Sequence, residues 1–160
     1  MQNKITSKSK NELLDKIELP KAIDIEEVVL GAMLIDSKKI DIAFELLTKE
    51  CFFDKTNREI FGVMQQLNVN QSGIDLPIVS RKIIDQNINV DPKYLIQLTL
   101  KISSSAHLDH HCRILQQKHI KRGIIQHSID TFNEANKGET DTFDLLNNAF
   151  NGLNLISDFI

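Results

Sequence analysis

Apolar residues recur along this chain every three or four positions, the spacing that lines one face of an α-helix. No segment alternates apolar and polar residues one by one over the length of a strand. The first set is Ile25, Val28, Val29, Ala32 and Met33. It is opened by Asp24-Ile-Glu-Glu27, which has the form of a capping box, and Gly31 leaves room for a close neighbour. A second set, Ile40, Ala43, Phe44 and Leu47, follows Ser37 as its cap. After the short Glu50-Cys-Phe-Phe53 segment, residues 56–68 place Ile60, Phe61, Met64 and Leu67 on one side. The loop after Leu67 has turn chemistry, and then Asp75 and Asp91 each precede a proline by one or two positions, a helix-start signal. The predicted helices run to about Gln86, through Leu76, Val79, Ile83 and Ile84, and over 92–102, through Tyr94, Leu95, Leu98 and Ile102. Thr142 is placed to cap a closing helix with Phe143, Leu146, Phe150, Leu153 and Ile156 on its face. The expected fold class is all-α.

The stretch from Ser104 to Lys137 dominates this layout. It holds no proline and one glycine, Gly123, with Ser104 or Ser105 able to cap its start and Gly138 where a helix stops. One helix of this size measures roughly 48 Å, against a diameter near 39 Å for a compact chain of this length, unless Gly123 kinks it. Leu108, Cys112 and Leu115 fall on a narrow stripe. Ile120, Ile124, Ile125, Ile129, Phe132 and Ala135 instead spread over about 180°, more than the roughly 100° that one packed neighbour covers. Either the second half meets two neighbours, or it makes one broad contact with the closing helix. In the first case Phe143, Leu146, Phe150 and Leu153 cover part of the arc. Ile120, Ile124, Ile125, Ile129 and Phe132 are then candidates for self-association, most simply across a two-fold axis. The expected organisation is a disordered tail over 1–20, a helical globular subdomain over 21–103, and a long antiparallel helical hairpin over 104–160 that serves oligomerisation.

Composition narrows the class. The 160 residues are 41% hydrophobic and 26% charged, enough to bury a core, with no Trp and one Tyr, so Ile, Leu and Val must fill it. A formal net charge of −3 argues against strong nonspecific nucleic-acid binding. Cys51 and Cys112 give no disulfide framework and fit a reducing compartment. No apolar run approaches a membrane span, and the start has no apolar core of a signal peptide, so a cytoplasmic protein is expected.

Several segments, in order, resemble one family. These are LPKAIDIEEVVLGAMLID at 19–36, ELLTKECFFDKTNREIFGVMQQL at 45–67, GIDLPIV at 73–79, YLIQL at 94–98 and SSSAHLDHHCRILQQKHIKRGII at 103–125. Together they are similar to the N-terminal domain of the DnaB-type replicative DNA helicase, over about residues 19–157. Asn57 stands where that family commonly has His, and Asp91-Pro92 replaces a Gly-Gly. The resemblance implies a helical globule followed by a long helical hairpin, pairing between subunits to build the collar of a bacterial hexameric helicase active in DNA replication. It implies primase docking within a primosome and a helicase loader as a further partner. DNA would be held by the full-length ring rather than by this domain, and ATP and Mg by a motor domain elsewhere.

The residues themselves offer little chemistry. A nucleotide-binding loop needs G-x-x-x-x-G-K-[ST], and none of the six glycines has another five residues on, so no catalytic residues and no cofactor are expected in this chain. His107, His110, His111 and Cys112 cluster, with His107 and His111 four apart, yet no HExxH or second cysteine pair completes a zinc set, and no metal is expected. Lys118, His119, Lys121 and Arg122 form a small basic cluster able to touch phosphate. The alternative to an assembly domain is a small helical DNA-binding or regulatory module, using 76–86 and 92–102 as a helix-turn-helix. The acidic balance counts against it.

Overall fold

The computed structural model describes residues 17–36, 39–102 and 106–157. Among them are seven α-helices and no strand: α1 (Ile23–Ile35), α2 (Ile40–Leu46), α3 (Lys55–Val69), α4 (Leu76–Asp85), α5 (Pro92–Leu100), α6 (Leu108–Lys137) and α7 (Thr142–Ser157). A 3-10 turn, Lys49–Cys51, follows α2. The expected caps at Ser37, Ser104 and Ser105 lie outside the described residues. Two compact units part inside α6: one is Lys21–His119, and the described parts of the other are residues 17–20 and 120–157.

Local chemistry explains most helix starts in the first unit. Asp54, Asp75 and Asp91 each accept a hydrogen bond from an N–H of the turn they cap, and prolines sit in the first turns of α4 and α5. The capping box expected at Asp24 is not formed: α1 begins at Ile23, behind Ala22, with no side-chain cap. Glu26 and Glu27 have other partners, described below.

α1 is the centre of this unit. Six consecutive residues from Val29 to Leu34 are buried, which requires neighbours on every side of the helix. Those neighbours are α2, α3 and α5, and α4 packs in turn on α3 and α5. The α1–α5 contact depends on Gly31, where an added Cβ would lie 2.3 Å from the Leu98 carbonyl oxygen. Only a residue without a side chain permits that approach. Elsewhere in the core Phe52 and Phe61 pack with centroids 4.7 Å apart and planes tilted by 33°, and Phe44 joins them at 5.6 Å from Phe61. Leu108, Cys112 and Leu115 of α6 are buried, as their stripe predicts, whereas Ile84 faces solvent.

A buried polar knot ties three of these helices. Glu26 of α1 is 1% exposed, and its carboxylate accepts from the N–H groups of Phe53 (2.6 Å) and Asp54 (3.2 Å) and from Asn57 Nδ2 (3.0 Å), at the N-terminus of α3. Helix N-termini favour negative charge, so this site suits a carboxylate. Asn57, itself fully buried, accepts through Oδ1 from the Tyr94 hydroxyl of α5 at 2.7 Å. Tyr94 also lies 3.3 Å from Glu27, which pairs with Lys101. Burial holds the Glu26 carboxyl above its usual range, although Asn57 and the Phe53 and Asp54 N–H groups pull the other way.

Replacing Glu26 by alanine leaves three buried donors unsatisfied and should lower unfolding free energy by about 3 kcal/mol or more, measured by urea denaturation. The native state binds the Glu26 proton more tightly than the unfolded chain. This residue's contribution is therefore greatest below the ordinary carboxylate range and declines as pH rises through the raised value. Wild-type stability relative to Glu26→Gln should accordingly fall as pH rises from the ordinary carboxylate range; a difference that grows as pH rises would contradict the assignment.

Candidate self-association surface

The second unit is built from the later part of α6 and from α7. α6 is one helix of 30 residues, continuous through Gly123. It ends before Gly138, whose φ of +66° is the left-handed conformation that closes a helix at little cost only for glycine. Asp141 then caps α7 by accepting from the Phe143 N–H at 2.9 Å, the role expected of Thr142.

The two helices run antiparallel. Gly123 faces Ile156, His127 faces Gly152 and Ala149, and Glu134 Oε1 accepts from Thr140 Oγ1 (3.0 Å) and Asn148 Nδ2 (3.3 Å). His127 Nε2 donates to the Ala149 carbonyl at 2.8 Å, which requires the proton on that nitrogen. The approach is closest here: a Cβ on Gly152 would fall 2.1 Å from the His127 ring.

This packing corrects the expected face of α7. Phe143, Leu146, Phe150 and Leu153 do not fill the hairpin; they are 77, 53, 60 and 47% exposed. The half-buried positions are Leu145, Ala149, Gly152 and Ile156. At Ala149 and Gly152 small residues let the backbones approach where bulky ones would hold them apart, and Leu146, Phe150 and Leu153 lie one step of 100° further round. On α6 the candidates divide. Ile129 is buried, Ile120 and Ile125 are half-buried, and Ile124 and Phe132 are 43 and 59% exposed. Ile124 is one step beyond Gly123, as Leu146, Phe150 and Leu153 are beyond the packed positions of α7. In an antiparallel pair those steps turn to the same side, so Ile124 and the α7 stripe share one flank of the hairpin. Exposed apolar side chains grouped on one flank make it a candidate interaction surface.

The other candidate chemistry is dispersed. His107 and His110 are exposed, His111 is half-buried, and the rings stand 6.5 Å (His107–His111) and 6.2 Å (His110–His111) apart. Burial first, then the neighbouring His110 and His107, lowers the His111 pKa. Burial pushes the Cys112 thiol up to about 12, far from a reactive thiolate. Among the described residues no three His, Cys, Asp or Glu side chains are placed to hold a metal ion. In the basic cluster, Arg122 Nη1 donates to the Pro20 carbonyl at 2.9 Å. In α5, the second helix of the alternative helix-turn-helix, Leu95 and Leu98 are buried, and Lys101 just beyond it is paired with Glu27.

Comparison with known proteins gives this geometry a lineage. The fold is that of the N-terminal domain of DnaB helicase from Mycobacterium tuberculosis, whose crystal structure matches with a TM-score of 0.79 at 17% identity, over 85% of this chain and 98% of that one. The family model for the DnaB-like helicase N terminal domain matches residues 18–117, and the chain belongs to that family. It is 36% identical over 108 residues to the replicative DNA helicase DnaB of Rhodothermus marinus, spanning 66% of this chain and 12% of that protein. It is 29% identical over 137 residues to a probable replicative DNA helicase of Trieres chinensis, spanning 82% of this chain and 30% of that protein. The chain thus spans under a third of these relatives and corresponds to the N-terminal, non-motor domain. No helix among the described residues is long and apolar enough to cross a membrane.

The hairpin contact has a direct test. Gly152→Ala must displace the His127 ring from the Ala149 carbonyl or spread the helices, and should speed hydrogen exchange of the α7 amides roughly fivefold or more. Gly123→Ala, whose Cβ would meet Ile156 at an ordinary 3.5 Å, should leave exchange unchanged.

Proposed function

We propose that this chain is the assembly and docking domain of a hexameric replicative DNA helicase, pairing with a second copy through the exposed flank of its hairpin. The observation that carries the reading is the stripe Phe143, Leu146, Phe150 and Leu153, continued by Ile124, which no described element covers. Burying one such side chain contributes roughly 1.5–3 kcal/mol, so a few of them suffice to hold two copies together at micromolar concentration. Family membership supports the wider setting: the paired domains form a collar, dock primase and a helicase loader, and work in the cytoplasm. Within that ring the motor domains bind ATP and Mg and hold the DNA.

The pairing is tested by sedimentation equilibrium together with circular dichroism. Phe150→Glu and Leu146→Glu should weaken self-association about tenfold or more with helicity unchanged, because both side chains are exposed in the single chain. Ile129→Glu should lose helicity, because Ile129 is buried. A wild-type chain that stays monomeric at high micromolar concentration would remove the pairing. The docking role is tested by calorimetry. The C-terminal helical region of the cognate primase should bind the domain, whereas ATP should give no heat of binding; micromolar ATP affinity would overturn the division of labour.

A further inference from the structure

Gly62 sits in the middle of α3, the interior position where glycine is the least favourable residue after proline. Of the other helix-interior glycines, Gly31 and Gly152 have evident steric reasons, since a Cβ would lie 2.3 Å from the Leu98 carbonyl and 2.1 Å from the His127 ring, and Gly123 lies against Ile156, where a Cβ would make an ordinary 3.5 Å contact. Gly62 has none of these. Among the described residues a Cβ there meets nothing within 4 Å, and its backbone is not among those with positive φ. What it opens onto is a cleft of about 620 Å³ between the 3-10 turn and α3. The size lies within the range of ligand sites.

The lining says what fits. Gln65, Gln66 and Asn70 project primary amides at helical spacing, each with acceptor and donor capacity that matches a peptide main chain. Gln66 Oε1 already accepts from Gln86 at 2.7 Å, which leaves its N–H groups to donate. Val69, 81% exposed, offers an apolar seat at the rim. The charges on the wall, Lys49 and Glu50, are adjacent and of opposite sign, unlike a phosphate site. Few apolar side chains line the cleft, unlike a pocket for an apolar small molecule.

We infer that this cleft binds an extended, uncharged segment of a partner protein, whose main chain crosses α3 at Gly62 and whose aliphatic side chain rests on Val69. The bare surface at Gly62 allows backbone to approach the helix as no other residue would. Amides on the wall then pair with the segment's N–H and C=O groups, the mode in which main-chain bonds supply affinity and side-chain seats supply choice. This site lies in the unit Lys21–His119 and is independent of the hairpin pairing proposed above.

The test uses the whole chain and a phage-displayed library of short random peptides, selected on the wild type and counter-selected on Gly62→Phe. Open space around Gly62 lets the phenylalanine fill the cleft without disturbing the core, which circular dichroism checks. Enriched peptides should be poor in charge, bind the wild type at micromolar Kd by calorimetry, and bind Gly62→Phe and Val69→Asp roughly tenfold or more weakly. Gly62→Ala should raise Tm by about 2–5 °C, since no packing requires the glycine. Three results would overturn the inference: no peptide family enriched on the wild type, peptides that bind Gly62→Phe equally well, or a Gly62→Ala chain that melts lower. A Gly62→Phe chain whose self-association is weakened would also overturn it, assigning the cleft to a second copy.

Discussion

The placement of one carboxylate organises the unit Lys21–His119. Glu26 enters the core from α1 and meets the N-terminus of α3, where two backbone N–H groups and the Asn57 amide await an acceptor. A buried charge without such partners would be intolerable, and helix N-terminal N–H groups without an acceptor would be little better. Each defect satisfies the other. Asn57 extends the arrangement to α5 through Tyr94, so the three helices that enclose the apolar core are held in register by directional bonds. The apolar packing supplies most of the stabilisation, and the knot adds directional bonds between α1, α3 and α5.

The hairpin follows a different logic. At its closest approach the inner face is made of small and polar groups, Gly152 and Ala149 against His127, with Gly123 against Ile156 and Glu134 bonded to Asn148 on either side. Close backbone approach leaves no room for phenylalanine between the helices, so Phe143, Leu146, Phe150 and Leu153 face outward. An element that places its largest apolar groups in water is incomplete alone, which connects the packing of the hairpin to the assembly role proposed for it. The same argument separates the glycines. Gly31 and Gly152 are explained by what they touch within the chain, whereas a Cβ on Gly62 would touch no described residue.

Much of the fold was legible in the residues. Period-3.6 patterns located every described α-helix, and Asp75, Asp91, Gly138 and Gly31 acted as their chemistry predicts, because caps, left-handed turns and close approaches are local requirements on single residues. Glu26 was misread as part of a cap because its partners lie 27–31 residues away along the chain. A signal was present nonetheless: Asn57 shares the register of Ile60, Phe61 and Met64, and a polar side chain on a buried face needs an internal partner.

The sequence alone determined the helical class, the order and length of the helices, and the family, since these depend on periodicity, capping and the succession of short segments. It also established that the long helix carries more apolar arc than one neighbour covers. Tertiary structure decided which stripe of α7 meets α6, which of the α6 isoleucines are buried, and which carboxylate enters the core. Two apolar stripes 100° apart are equivalent by periodicity. Only the steric demand of His127 against Gly152, a contact between residues 25 positions apart, distinguishes them.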